Sequence, residues 1–378
     1  MNVWKLKKIF KTKFYFKIPE KKPFLIYDKN GSANINKNLP QNSSYVLHTR
    51  GEKFNLFVLI KMILKFKLSN KSYIKEYIQT CSPMAIITWI DNNFFFYQLE
   101  LKDIKKISIQ GARRSNLPSD IFYNLKKNRI KNLRCDYIFT HNIPITNLYK
   151  KYINSKFLVS GSFKSNNHTV NDKFKKIELL YISTFRNSQN YELYKNYDWN
   201  FWQKREILLL KFAEKYCQKK NKKLTILGSE IDHSSELKFY KNHLKTNFQF
   251  IKKNKYRNVY KLVDVSKVIF GIDSTLLSEA LGRKAKVAFF PYRGNQFPFN
   301  SRKFGWPLNY PNKGKFWDSE LKYEYFEKKL NFLFKIKIFQ WKNICKPYRK
   351  NIMEFDENNK LFKDLIKKFK RTKKKQLY

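Results

Sequence analysis

Short apolar runs alternating with longer, helix-spaced segments constrain this chain more than any other feature. FLIYD (24–28), YVLHT (45–49), MAIITWI (84–90), KKISIQG (105–111), DYIFT (136–140) and KFLVSG (156–161) read as strands. Between them, NLFVLIKMILKF, KSYIKEYIQTCS and IPITNLYKKYI carry apolar residues at a spacing of about 3.6. Pro144 stands near a helix start, where its missing N–H does no harm. This alternation argues a parallel sheet covered on both faces. SFKSNNHTVNDKFKK (162–176) is polar and aperiodic, and reads as a linker. A second series follows, with IELLYIST, KLTILGS, FQFI and VSKVIFGI as strands and WQKREILLLKFAEKYCQKK, SSELKFYKNHLK and YRNVYKLVDVS as helices. The expected fold class is α/β, with two Rossmann-like domains whose parallel sheets face a central cleft. The expected divisions are a basic aromatic segment (1–22), a first Rossmann-like domain (23–161), the linker (162–176), a second Rossmann-like domain (177–335), and C-terminal helices with a basic tail (336–378).

The stretch FGIDSTLLSEALGRKAKVAFF (270–290) is the sharpest local signal. A strand buried on both faces runs into Asp273, Ser274 and Thr275, all good helix caps, and LLSEALG continues to a plausible stop at Gly282. KVAFF reads as the next strand. The amino end of this short crossover helix offers N–H groups, two hydroxyls and a positive dipole end, which suit a phosphate. Ligands in such sheets lie beyond the carboxyl ends of the strands. Asp28 to Ser32, Arg50, Asp91, Gly111 to Arg114, Ser183 to Arg186, Gly228 with Ser229, and Asp273 to Thr275 all fall there.

Charge narrows the partners. The 378 residues include 79 Lys plus Arg against 29 Asp plus Glu, a formal charge of +50. Such a balance suggests an anionic partner: nucleic acid, an acidic membrane surface or a phosphorylated substrate. The alternative is AT-rich codon usage, which also favours Asn, Ile, Phe and Tyr and would supply such charge without any partner. The start, MNVWKLKKIFKTKFYFKIPEKK, and the end, KLFKDLIKKFKRTKKKQ, mix lysines with apolar residues, so each is either a membrane-surface segment or a frayed terminus. Lysines interrupt any signal-peptide core, and FNLFVLIKMILKF falls short of the roughly 20 residues a bilayer span needs. The expectation is a cytoplasmic protein, either soluble or peripheral on the inner face of the cytoplasmic membrane. Cys81, Cys135, Cys217 and Cys345 are scattered, and the histidines form no i,i+4 pair, so no disulfide framework, metal or cofactor is expected.

Several stretches resemble bacterial surface-carbohydrate (lipopolysaccharide and O-antigen) biosynthesis proteins related to GT-B glycosyltransferases. They are IYDKNGSANI, VLHTRGEKFN, ITWIDNN, ISIQGARR, VSGSFKSN, GIDSTLLSEALGRKAKVAFF and FGWPLNYPNKGKFW, in family order. FGWP…YP…G.FW (304–317) is the most distinctive. The helix led by D-S-T is also similar to the nucleotide-sugar sites of the peptidoglycan N-acetylglucosaminyltransferase and of UDP-N-acetylglucosamine 2-epimerase. The resemblance implies that Ser274 and Thr275 contact a pyrophosphate and Glu279 a ribose. It implies a nucleotide-sugar donor and a saccharide or lipid-linked acceptor.

Glycosyl transfer needs a stabilised leaving diphosphate and an acceptor that loses a proton. No D-x-D occurs, so leaving-group stabilisation is expected from helix N–H groups and cations without an obligatory metal. Arg186, whose alternative is a plain surface arginine, is the first candidate cation, and Arg293, after the last core strand, is the second. Asp91 is the best-placed base, although Asp91-Asn92-Asn93 equally describes a turn; Glu52 and His141 are weaker. Asp273, Gly228 and Ser229 complete the expected donor side. Gly31, Ser32, Arg50, Gly111, Arg113, Arg114 and Trp306 make up the expected acceptor side, while Trp317 reads as a loop staple. Two other functions remain: a nucleotide-sugar epimerase of the same fold, and a nucleic-acid or anionic-surface binder without catalysis. Against the epimerase, no compact carboxylate–histidine set is visible; against a specific nucleic-acid partner, no binding module is recognisable.

Overall fold

Strands β2 (Phe24–Ile26), β3 (Ser44–Val46), β5 (Ala85–Thr88), β6 (Lys105–Ile109), β7 (Leu133–Thr140) and β8 (Ile153–Val159) form one sheet, ordered β3-β2-β5-β6-β7-β8. A second sheet joins β9 (Ile177–Ile182), β10 (Leu224–Leu227), β11 (Gln249–Ile251), β12 (Ser266–Gly271) and β13 (Val287–Phe289) in the order β11-β10-β9-β12-β13. A small ribbon pairs β1 (Lys13–Tyr15) with β4 (Lys53–Asn55). Every pairing among these strands is parallel. This computed structural model describes residues 12–66, 69–117, 120–128, 132–171, 174–186, 199–229, 233–253, 258–295 and 300–375. The basic start at 1–11, and the first residues of the helix expected from 256, lie outside them.

Apolar content explains the strands. FLI of β2, AIIT of β5 and LTIL of β10 are buried at every position, as expected where helices cover both faces. The covering helices of the first sheet are α1 (Ser32–Asn36), α2 (Leu56–Leu64), α3 (Asn70–Cys81), α4 (Phe94–Gln98), α5 (Ile121–Asn128) and α6 (Ile143–Lys150). Asn55, Ser69, Asn93 and Asn142 cap α2, α3, α4 and α6 with side-chain oxygens, and Pro144 sits in the first turn of α6.

The polar stretch expected as a linker begins with structure. Ser162 caps a single helical turn, α7 (Phe163–Asn166). Phe163 is fully buried against Phe139 and Phe362, and Asn166 is buried too. The second sheet then carries α8 (Trp199–Lys220), α9 (His233–His243), α10 (Tyr260–Asp264), α11 (Thr275–Gly282) and α12 (Tyr323–Lys335).

Two last helices return toward the first half. Helix α13 (Ile338–Ile352) packs on α11 and α6, and α14 (Lys360–Lys375) lays Phe362, Leu365 and Ile366 among Phe24, Ile26, Ile107 and Phe139. The apolar stripe of the basic C-terminal segment, expected either at a membrane or frayed, is therefore spent on the first sheet. Among the described residues no helix is long and apolar enough to cross a membrane.

Candidate active site

Strand ends of the second sheet converge on one cavity of about 380 Å³. Strand β9 delivers Ser183 and Thr184, β10 delivers Gly228 and Ser229, and β12 delivers Asp273 to Thr275. The opposite wall comes from the first half, where Gly111 and Ala112 follow β6, and from Lys164 on α7. Ser274 is the cap of α11: its backbone is extended (φ −63°, ψ 140°) and its Oγ accepts from Leu276 N–H at 3.3 Å. The amino end of α11 thus opens on the cavity, where its dipole favours negative charge.

Cations dominate the lining. Lys164, Arg186, Lys253, Arg293 and Arg302 face Asp273 and Glu279. Burial lowers the Lys253 pKa, and the nearby charges of Lys164 and Arg186 lower it further. Asp273 is already neutralised, pairing with Arg293 and Arg302 at 3.1 Å each. Burial alone would raise its pKa, but Arg293, Arg302 and Arg113 together hold it below the ordinary value. Glu279 differs. Its oxygens accept from Ser162 Oγ at 2.5 Å and Tyr260 OH at 3.0 Å, and no Arg pairs with it within the described contacts. Burial pushes its pKa up, and those hydrogen bonds offset only part of the rise. The surplus of cations suits a diphosphate, and the spare lone pairs of Glu279 suit a hydroxyl-rich group.

The structure brings the expected donor residues together: Asp273, Ser274, Thr275, Glu279, Gly228, Ser229, Arg186 and Arg293 all line this cavity. Arg293 is more deeply set than a surface arginine, with Glu206 3.6 Å away on its far side. Of the expected acceptor residues, Gly111 lines it as well. Arg113 reaches across the cleft, donating to Ser301 O at 3.1 Å, Lys303 O at 3.3 Å and Asp273 O at 3.5 Å. It fastens one half to the other.

The remaining expected residues stand elsewhere. Asp91, expected as the base, is 1% exposed and does not line the cavity. Its carboxylate takes Gly111 N–H at 3.0 Å, Arg114 Nε at 3.2 Å and a short hydrogen bond from Tyr149. In that position it fixes the Gly111 loop. Arg114 is buried between Asp91 and Asp120, at 2.8 Å from the latter. Gly31 holds a left-handed backbone (φ 76°) against Trp89, and Gly111 also packs against it; a Cβ at either glycine would strike the indole. Ser32 begins α1 beside Gly31. Arg50 binds Asp28 at 3.1 Å, and Glu52 lies 3.9 Å from His48. His141 is buried, its pKa pushed down to about 3 by burial and by Arg114, and it touches Gln110 O at 3.1 Å. Trp306 packs on the first core near Phe122, and Trp317 stacks on Phe304 at 4.2 Å.

Ser162, Lys164, Lys253, Tyr260 and Arg302 are among the lining or supporting residues that escaped the sequence reading. Lys253 follows the carboxyl end of β11, so the strand-end rule that found Ser229 would have found it. Ser162 and Lys164 lay hidden in the polar stretch. Among the described residues no group of three or more His, Cys, Asp or Glu side chains is arranged to hold a metal ion.

Fold and cleft together define the class: an α/β protein of the GT-B type. Two structures of the wall teichoic acid polymerase TagF are similar over nearly the whole chain. A histidine-to-asparagine variant soaked with CDPG is 14% identical with a TM-score of 0.54, covering 95% of this chain and 90% of that one. A histidine-to-alanine variant is 14% identical with a TM-score of 0.53, covering 94% and 90%. The UDP-GlcNAc 2-epimerase of Methanocaldococcus jannaschii, in complex with UDP-GlcNAc and UDP, is 12% identical, with a TM-score of 0.46 over 83% and 93%. No curated protein matches. Residues 107–370 match the model of a family described as "putative O-antigen biosynthesis protein". The chain belongs to that family.

Proposed function

We propose that this chain is a GT-B-type transferase that moves a sugar, or a related group, from a nucleotide donor to a surface-polysaccharide precursor carried on lipid. The observation that carries this reading is the cleft cavity, where the amino end of α11 and Lys164, Arg186 and Lys253 meet opposite the Gly111 loop. In this reading the donor diphosphate lies among those three cations and Ser274 and Thr275, while Glu279 accepts from ribose hydroxyls. Such charge-assisted hydrogen bonds contribute about 1.5–3 kcal/mol each. Fixed cations and N–H groups would stabilise charge as the diphosphate leaves, without reorganisation at the moment of transfer. Asp91 acts as a positioning residue that presents Gly111 and Ala112 to the acceptor side. Family membership supports the surface-polysaccharide assignment, and TagF offers a polymerase of the same fold whose structure was soaked with CDPG.

The test is a thermal-shift panel of UDP, CDP, CMP, GDP, ADP and TDP against pyrophosphate at moderate salt. It is repeated on Ser274→Ala, Lys253→Met and Glu279→Ala. A ligand at about 100 times its Kd adds roughly 2.7 kcal/mol of stability. One base should stand out, with its shift lost in the variants. Equal shifts for every polyphosphate, insensitive to the variants and abolished by salt, would leave only nonspecific charge binding.

A further inference from the structure

Helix α2, LFVLIKMIL, is apolar on both faces. Val58 and Met62 turn into the first core, whereas Ile60, Ile63 and Leu64 face water. Just beyond the helix, Phe66 is 94% exposed and holds a left-handed backbone (φ 53°), a conformation bulky residues rarely adopt. Phe14 of β1, with Phe16 and Ile18 just beyond the strand, continues at alternate positions, each more than half exposed. Phe14 stacks on Phe54 at 6.1 Å, Phe16 meets Phe57 edge-on at 6.3 Å, and Lys61 lies 4.9 Å over the Phe57 ring. One apolar surface therefore runs from β1 to the end of α2. A helix that is apolar all round belongs inside something, and an exposed patch of this kind marks an interaction site.

The surrounding charge selects the occupant. Lys13, Lys53 and Lys61 rim or interrupt the patch, joined by Lys17 and Lys65, which also pair with Glu20 at 2.6 Å and Glu76 at 2.7 Å. Lys13 and Lys53 are direct partners in the ribbon register, so two lysines leave adjacent points of the ribbon, an arrangement that an anion stabilises. A second copy of a +50 chain would bring the same lysines face to face, which disfavours self-association. An anionic bilayer accepts both features: aromatic and aliphatic side chains enter the headgroup–acyl boundary, and lysines meet lipid phosphates.

We infer that the face built by β1, β4 and α2 docks the protein on an anionic lipid surface. Its place in the fold fits a membrane-held acceptor. Strand β3 leads through residues 47–52 into β4, and Thr12 Oγ1 donates to Gly51 O at 2.8 Å, tying β1 to that turn. Arg50 in the same turn pairs with Asp28 at the carboxyl end of β2, so the ribbon grows from the cleft edge of the first sheet. The inference extends the lipid-linked acceptor proposed above. Vesicle binding and donor binding are separate readouts, so either can fail while the other holds.

The test is co-sedimentation of the full chain with vesicles of phosphatidylcholine alone and of phosphatidylcholine mixed with phosphatidylglycerol, at low and high salt. The variants are Phe16→Ser with Phe66→Ser, Ile63→Ser with Leu64→Ser, and Leu308→Ser as an exposed apolar control far along the chain. Each changes exposed side chains, so melting temperatures should stay near that of the parent protein. Binding should favour the phosphatidylglycerol vesicles, fall roughly tenfold or more in each double variant, and persist in Leu308→Ser. Three outcomes overturn the inference: no binding to phosphatidylglycerol vesicles, binding that salt abolishes and the double variants leave intact, or a concentration-dependent dimer that Phe66→Ser dissolves.

Discussion

Ser162 Oγ donates to Glu279 Oε1 at 2.5 Å, joining the segment between the two sheets to the helix that opens on the cleft. The same carboxylate takes Tyr260 OH, so one buried acid binds three elements together. Its raised pKa has a direct consequence for stability. A carboxyl whose folded pKa exceeds its unfolded value contributes stability that is complete below the unfolded value, near 4.5, and is lost as pH rises through the folded pKa. Glu279→Gln removes this loss. The melting-temperature difference between Glu279→Gln and the parent should grow in favour of the variant as pH climbs above about 4.5. Donor affinity should fall roughly tenfold in the same variant, since a charged acceptor is replaced by a neutral one. Parallel pH curves would show that Glu279 is not destabilised by burial.

Asp273, at the other end of the same strand–helix junction, should behave oppositely. Its pKa is held below 3.8, so it contributes stability above that unfolded value that is lost as pH falls through the folded pKa. Asp273→Asn strands Arg293 and Arg302 without their nearest carboxylate, and breaking a buried pair from one side costs about 3–5 kcal/mol. The variant should melt well below the parent at pH 7, with the gap narrowing below about pH 4. Calorimetry across that range decides it. A gap that stays constant into acid would mean that Asp273 ionisation does not support the fold.

Gly161 closes the first half against the returning C-terminal segment. Its backbone is left-handed (φ 74°), it bridges Phe355, and a Cβ there would collide with the Glu354 carbonyl. Gly161→Ala should cost about 1–2 kcal/mol from the backbone alone, with displacement of Glu354 adding to it. Limited proteolysis should then release the segment carrying α14 faster than in the parent protein. An unchanged cleavage rate would show that the junction yields without cost.

Much of this was legible because strands buried on both faces need only be apolar, as FLI, AIIT and LTIL are. The capped amino end of α11 was legible because Asp273, Ser274 and Thr275 after such a strand are good helix caps. Asp91 shows the limit. The strand-end rule found the right end of β5, but neighbouring residues after a strand point to different sides, and Asp91 points to Arg114 and Tyr149 rather than into the cavity. Ser162 and Asn166 show another limit, since polar side chains buried in a hydrogen-bond network leave no periodic trace. The helical period of α14 was plain, but nothing in it told a sheet from a membrane as the cover of its apolar stripe.

That network supports the last prediction. Asn359, fully buried, donates through Nδ2 to Asn167 Oδ1 at 2.9 Å, Phe163 O at 3.1 Å and Asn38 Oδ1 at 3.3 Å. Its own Oδ1 accepts from Asn166 Nδ2 at 3.0 Å. One amide thus fastens the start of α14 to α7 and to the loop after α1. Asn359→Ala leaves buried partners without a bond, at about 1–3 kcal/mol for each such group. Asn359→Asp keeps the acceptor for Asn166 but sets a carboxylate against three oxygens. Its pKa should rise on folding, so its stability should fall further as pH climbs from about 4 toward neutrality. Hydrogen exchange along residues 360–369 should quicken in both variants, and only in Asn359→Asp should the rate of opening, corrected for intrinsic exchange, depend on pH. Protection equal to that of the parent in Asn359→Ala would show that apolar packing by Phe362, Leu365 and Ile366 holds α14 without the amide cluster.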